Sequence, residues 1–290
     1  MSDELIAVTG ATGGIGGRVA RRLAAAGMAP RLVVRDPTRA PELPAAEIRS
    51  ASYEDGTAMR EALAGVGTLL LVSATEHPDR VGLHRSAVDA AVAAGVGRIV
   101  YVSFLAAAPD ATFTFARDHW HTEAHIRASG AAFCFLRDSL YQDVLPYFPD
   151  AEGVIRGPAG EGRFAPVARD DIADAAVAVL LDTDHDGRTY DLTGPATLTM
   201  AQVAEELSRA AGRPVRFHNE TLAEAYESRA RFGAAQYEVD GWVTSYAAIA
   251  TDELDVVSDA VTALTGHRPM SFAEWLAANP ESLRRLRRER

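Results

Sequence analysis

The sequence predicts an α/β chain: a Rossmann-like, doubly wound parallel sheet with a smaller, mostly helical C-terminal lobe. Three observations predict it. The stretch Val8-Thr9-Gly10-Ala11-Thr12-Gly13-Gly14-Ile15-Gly16-Gly17 lies between an apolar run, Leu5–Val8, and a helical stretch, Arg18–Ala26, so strand, glycine turn and helix follow directly on one another. Short apolar runs and helical stretches then alternate up to about residue 140, as in a parallel sheet covered by crossover helices. Finally, the texture changes near residue 145, where Gly153, Gly157, Pro158, Gly160 and Gly162 open a loop-rich stretch. The expected division is residues 1–150 as a nucleotide-binding domain and 151–290 as a smaller lid, with a strand near 188–193 returning to the main sheet.

Taken in order, the first turn has glycines at positions 10, 13 and 16, where side chains would block the approach of a pyrophosphate. The helix that follows presents unpaired N–H groups to that anion. The expected cofactor contacts here are Gly10, Thr12, Gly13, Ile15 and Gly16. Strand two, Pro30–Val34, is stopped by Arg35-Asp36-Pro37. Its end is where an adenosine ribose lies in this fold, and an acidic residue there takes the 2′-hydroxyl. Arg35 instead suits a 2′-phosphate, which predicts NADP(H) over NAD(H), provided that Pro37 turns the competing Asp36 outward.

Strand three is expected at Ala46–Ala51, and Ser52–Asp55 caps a helix through Ala64. Strand four, Thr68–Val72, ends at Ser73-Ala74-Thr75, and strand five, Arg98–Val102, ends at Ser103. Ser73, Ala74 and Ser103 therefore join the expected cofactor groove at the carboxyl edge of the sheet. A helix over Val81–Ala94 separates these strands, and Phe133–Leu136 forms strand six. Further helices are expected at Ile172–Leu181 and, capped by Thr199–Gln202, at Val203–Ala211, with short helices beyond.

Composition narrows the chemistry. The chain has 290 residues and a net charge of -11, so nucleic acid is not an expected partner. The C-terminal Arg284–Arg290 run is read as a solvated helix end. No apolar stretch is long enough to span a membrane. The single cysteine, Cys134, lies in an apolar run and is read as a buried, inert thiol. With no leader visible at the N-terminus, a reducing, cytoplasmic location is expected. All 29 basic residues are arginine. A lysine Schiff base and the Tyr-x-x-x-Lys pair of ordinary short-chain dehydrogenases are thereby excluded.

Thr9-Gly10-Ala11-Thr12-Gly13 with Gly16, Val34–Pro37, His119 with Thr122-Glu123, Leu136-Arg137 with Tyr141, and Tyr190–Gly194 occur in that order. Together they resemble the NmrA-like, atypical branch of the short-chain dehydrogenase/reductases over nearly the whole chain, more weakly after about residue 220. Two positions depart from the branch pattern: Ser52 stands where an aspartate is usual near adenine, and Asp138 where an asparagine is usual. The resemblance implies NAD(P)H binding and either reductase activity or a non-catalytic, redox-sensing regulatory role.

Hydride transfer needs the acceptor held roughly 3–3.5 Å from the nicotinamide and, for a quinone, little else. A simple ketone also needs a positioned proton donor, because its alkoxide is strongly basic. A chain lacking Tyr-x-x-x-Lys thus suits a quinone or a similar electron-poor carbonyl acceptor, with neither metal nor flavin; a homodimer is compatible with this. The catalytic candidates are His119, as proton donor or ribose contact, and Tyr141. The alternatives are that His119 pairs with Glu123 one turn away, and that Tyr141 is an ordinary core aromatic. His119, His121 and His125 suggest zinc, but the spacing of the glutamate does not fit. The remaining histidines, His84 among them, are expected at the surface or in loops.

Overall fold

The structure, a computed structural model, describes residues 4–287 and divides into two compact units. The first comprises Met1–Pro109, Asp118–Arg137 and Arg169–Asp191; the second comprises Asp110–Arg117, Asp138–Ala168 and Leu192–Arg290.

The first unit is built on a seven-stranded parallel sheet. Its strands are β1 (Ile6–Thr9), β2 (Arg31–Val34), β3 (Glu47–Ser50), β4 (Thr68–Val72), β5 (Arg98–Phe104), β6 (Ala132–Asp138) and, further along the chain, β8 (Thr189–Leu192). Their spatial order is β3-β2-β1-β4-β5-β6-β8. The order reverses between β1 and β4, the switch point at which doubly wound sheets bind ligands. Helices α1 (Gly16–Ala25), α2 (Gly56–Ala62), α3 (Arg80–Ala93), most of α4 (Thr114–Ala128) and α5 (Arg169–Leu181) belong to this unit.

β1, β2, β4 and β5 are apolar along nearly their whole length because both faces are covered. Ala7, Val33, Leu69, Leu71, Ile99, Tyr101 and Phe135 share one buried cluster with α2 and α3. α1 is amphipathic: Val19, Ala20 and Leu23 are buried. Arg18 and Arg22 on α1 reach Asp170 and Asp174 on α5 at 2.5–3.1 Å. β3, at the edge, is largely exposed.

β5 runs two residues past the expected Val102, so Ser103 lies inside the strand. β6 likewise extends to Asp138. The cause is burial: every residue of β5 is covered, so hydroxyl and aromatic side chains continue the strand where an apolar pattern would have stopped it.

The second unit contains a two-stranded parallel sheet, β7 (Val154–Gly157) with β9 (Arg216–Asn219), neither of which the sequence announces. Each is only four residues long, and β7 lies between glycines. Around them are α6 (Met200–Ala211), α7 (Leu222–Ala230), α8 (Gln236–Ala250), α9 (Ala260–Thr265), α10 (Phe272–Ala278) and α11 (Arg284–Arg287). Thr199 caps α6 in a reciprocal capping box with Gln202, as the sequence predicts. α11 holds the described part of the C-terminal arginine run, with Leu286 buried; residues 288–290 lie outside the described region.

Leu70, in the middle of β4 and fully buried, tests how tightly this sheet is packed. Leu70→Ala should cost about 2–5 kcal/mol of unfolding free energy in a urea titration, from lost burial and the cavity left behind.

Candidate active site

The glycine turn is shaped by contacts that exclude side chains. Gly10 has φ +62°, a left-handed conformation suited to glycine. A Cβ at Gly16 would lie 2.5 Å from the carbonyl oxygens of both Thr9 and Gly10, and one at Gly13 would lie 3.1 Å from the Gly10 oxygen. α1 therefore begins directly against the end of β1. It has no side-chain cap and no acidic residue in its first turn; the Gly17 N–H donates to the Gly13 carbonyl at 3.2 Å, and the partial positive charge of the helix start is left for an anion. Thr12 and Gly13 are exposed, whereas the side chain of Ile15 is buried and contributes only backbone to the rim. These features fit a dinucleotide's pyrophosphate. Arg169, at the start of α5, lies against the same turn: its Cδ would be 3.0 Å from a Cβ at Gly14. The sequence reading missed it because more than 150 residues separate the two in the chain.

Arg35 is exposed at the carboxyl end of β2, and among the described residues its guanidinium has no hydrogen-bond or ion-pair partner. The rival Asp36 is occupied. Its carboxylate accepts from the Thr38 N–H at 3.0 Å and the Thr38 hydroxyl at 2.6 Å, which holds its pKa below the usual range. Tyr53 ties the switch point together. Its hydroxyl is 2.6 Å from both Thr9 Oγ1 and the Val72 carbonyl, and Thr9 Oγ1 accepts from the Val72 N–H at 2.9 Å.

Ser73 and Ala74 follow β4, both half-buried. The Ala74 N–H donates to His84 Nε2 at 2.8 Å, and Arg80 Nε donates to the Ala74 carbonyl at 2.9 Å. These bonds link the loop to a buried polar cluster. His84, expected at the surface, is fully buried on α3 because its imidazole is satisfied at both nitrogens. Since Nε2 accepts, Nδ1 carries the proton and faces Thr122 Oγ1 at 2.8 Å, while Thr122 donates onward to the Asp118 carbonyl.

His119, 5% exposed on α4, is bonded in the same way. Arg80 Nη2 donates to its Nε2 at 3.1 Å, so its Nδ1–H faces the Tyr101 hydroxyl at 2.9 Å. Burial first, then the Arg80 charge, hold both imidazoles well below their ordinary pKa. A neutral, buried imidazole of this kind does not suit the proton-donor role that the sequence suggests for His119. Burial also pushes Tyr53 and Tyr101 upward.

The alternative pairing of His119 with Glu123 is not found. Glu123, fully buried, accepts from Ser103 Oγ at 2.7 Å and from Arg137 in bidentate fashion at 2.7 and 2.8 Å, with Arg127 at 3.2 Å. Ser103 is itself fully buried and committed to that carboxylate. His125 pairs with Asp89 at 2.7 Å and His121 packs edge-on to Trp120, so the three histidines of this stretch have separate partners. Tyr141 belongs to the second unit, where its hydroxyl donates to Asp138 at 2.9 Å. The buried thiol of Cys134 is pushed up to about 12 by desolvation.

The model of the NAD(P)H-binding family matches residues 10–183. Quinone oxidoreductase 2 of Escherichia coli is 35% identical over 277 residues, covering 93% of this chain and 96% of that protein. The NAD(P)H azoreductase of Xenophilus azovorans is 32% identical over 280 residues, covering 95% and 98%. Among solved structures, an NADPH complex of the E. coli NADPH-dependent quinone oxidoreductase superposes with a TM-score of 0.86 at 32% identity, covering 94% of this chain and 99% of that one. The chain belongs to the NAD(P)H-binding family, with the NmrA-like fold, and is an NAD(P)H-dependent oxidoreductase. No helix among the described residues is long and apolar enough to cross a membrane.

The neutral imidazoles make stability depend on pH. In the unfolded chain each would take a proton below about pH 6.5, whereas in the folded chain each resists it. Their contribution is thus complete above that value and lost as pH falls below it. Unfolding free energy should decline as pH falls below about 6.5, the slope approaching about 1.4 kcal/mol per pH unit for each histidine. His84→Gln should remove its share of the slope in denaturant titrations.

Proposed function

We propose that the protein reduces quinones, or similarly electron-poor carbonyl acceptors, with NADPH. One observation carries the acceptor assignment. In the buried cluster of the first unit the imidazoles of His84 and His119 are held neutral and the hydroxyls of Tyr53 and Tyr101 are pushed upward. None of these four groups changes protonation near neutrality, so an acceptor whose reduced form draws its proton from water suits the site better than a simple ketone. The quinone oxidoreductase and azoreductase relatives support the same reading. The sensor alternative has no comparable support.

In this reading Gly10, Thr12, Gly13, Ile15 and Gly16 hold the pyrophosphate through backbone N–H groups, and Arg169 adds charge beside Gly14. Arg35 pairs with the 2′-phosphate, since Asp36 is tied to Thr38. When bound, the reduced nicotinamide supplies the hydride. Ser73 and Ala74 border the nicotinamide, and the His84 and Arg80 bonds to Ala74 fix that loop in place. Ser103 and His119 act from beneath: Ser103 orients Glu123, and His119 keeps Tyr101 and Arg80 in register.

Two measurements test this. Absorbance at the NADPH band should fall with a panel of benzo- and naphthoquinones and stay flat with unactivated ketones; NADPH binding with no quinone turnover would falsify the assignment. Arg35→Ala should weaken NADPH at least about ten-fold while leaving NADH nearly unchanged, the size expected for losing one charge-assisted pair. Equal losses would remove Arg35 from the 2′-phosphate.

A further inference from the structure

A second recess lies wholly within the second unit and shares no residue with the glycine turn or the His119 cluster. It encloses about 490 Å³, within the roughly 300–1,000 Å³ typical of small-ligand sites. Its walls are two aromatic pairs: Phe148 with Tyr246, centroids 5.8 Å apart, and Phe232 edge-on to Trp242 at 6.1 Å. Tyr147 and Phe232, both lining it, are 57% and 60% exposed, the highest values among the exposed large hydrophobic side chains described. Uncovered aromatic surface concentrated around one concavity marks a contact site rather than scattered surface residues.

The charges of the recess do not cancel. Arg229, stacked over Tyr246 at 5.5 Å, is neutralised by Glu220 at 2.9 Å, and Arg156 faces Asp150 at 3.6 Å. Arg231 and Arg285 remain, both exposed, and among the described residues neither has a carboxylate partner. Arg231 lies over the Phe232 ring at 5.0 Å, which places a cation beside an aromatic face. A net positive aromatic recess on a chain of net charge -11 selects for anions against the overall field.

We propose that this recess binds a flat aromatic anion, a carboxylate or sulfonate carried on an aromatic ring system. The ring inserts between the Phe148/Tyr246 and Phe232/Trp242 pairs, and the anionic group meets Arg231 and Arg285 at the mouth. This site is independent of the dinucleotide and of the acceptor reading.

The test uses the full-length protein and calorimetry with two probes, naphthalene-2-sulfonate and the uncharged naphthalene-2-methanol, each with and without saturating NADP+. The sulfonate should bind at least about ten-fold more tightly than the alcohol, unaffected by NADP+. Arg231→Gln combined with Arg285→Gln should remove that ten-fold preference and leave alcohol binding unchanged. Phe232→Ala, at a side chain already exposed, should weaken both probes. Equal binding of the two probes, no binding of either, displacement by NADP+, or an unchanged preference in the double variant would each overturn the proposal.

Discussion

The closeness of Gly16 to the Thr9 and Gly10 carbonyls is the constraint on which the first unit depends. A Cβ there would lie 2.5 Å from both oxygens, a distance that no side-chain carbon tolerates. Only this approach lets α1 start immediately beside the end of β1, with no side chain capping it. The order reversal between β1 and β4 then separates the flanking connections and opens a crevice over that helix start. Thr9 and Tyr53 hold its floor by binding to the same two strands, so the geometry of the turn is inherited from the sheet rather than from the loop itself.

Behind the crevice the imidazoles and hydroxyls of the polar cluster are hydrogen-bonded and Arg80 Nη1 faces the Asp118 carboxylate at 3.6 Å, which offsets the cost of burying them. Arg80 spends its guanidinium on the Ala74 carbonyl and on His119, and His84 receives the Ala74 N–H. The loop after β4 is therefore anchored by both of its backbone groups at Ala74. Each imidazole must keep an acceptor nitrogen for these bonds, so protonating either would break one. The low basicity of the cluster and the rigidity of the loop thus have a common origin.

Much of this architecture was legible in the sequence, because unbroken apolar runs and a glycine turn at the right spacing are local signals. The place of Arg35 was legible too: it is exposed at the carboxyl end of β2, where the strand meets a proline. The failures are all non-local. Ser103 and His84 read as edge and surface residues because nothing in their neighbourhoods reveals Glu123 or the Ala74 N–H as partners. Arg169 reads as the start of a helix, since its proximity to Gly14 exists only in three dimensions. β7 and β9 are too short for periodicity, and each exists because the other pairs with it.

The spacing of His119 and Glu123 matches that of the tyrosine and lysine in ordinary short-chain dehydrogenases, but the electrostatics are inverted. A lysine one turn from a tyrosine favours the phenolate and keeps a mobile proton near the carbonyl. Here the position holds a carboxylate whose oxygens are taken by Arg137, Arg127 and Ser103, and the position before it on the same face holds an imidazole kept neutral. The helix face that elsewhere runs acid catalysis is instead a closed network, with an internal partner for each of these polar groups. A site built this way gains rigidity around its cofactor and gives up the ability to protonate a strongly basic alkoxide. The acceptors it suits are those whose reduced form is already a weak base, as the hydroquinone anion is.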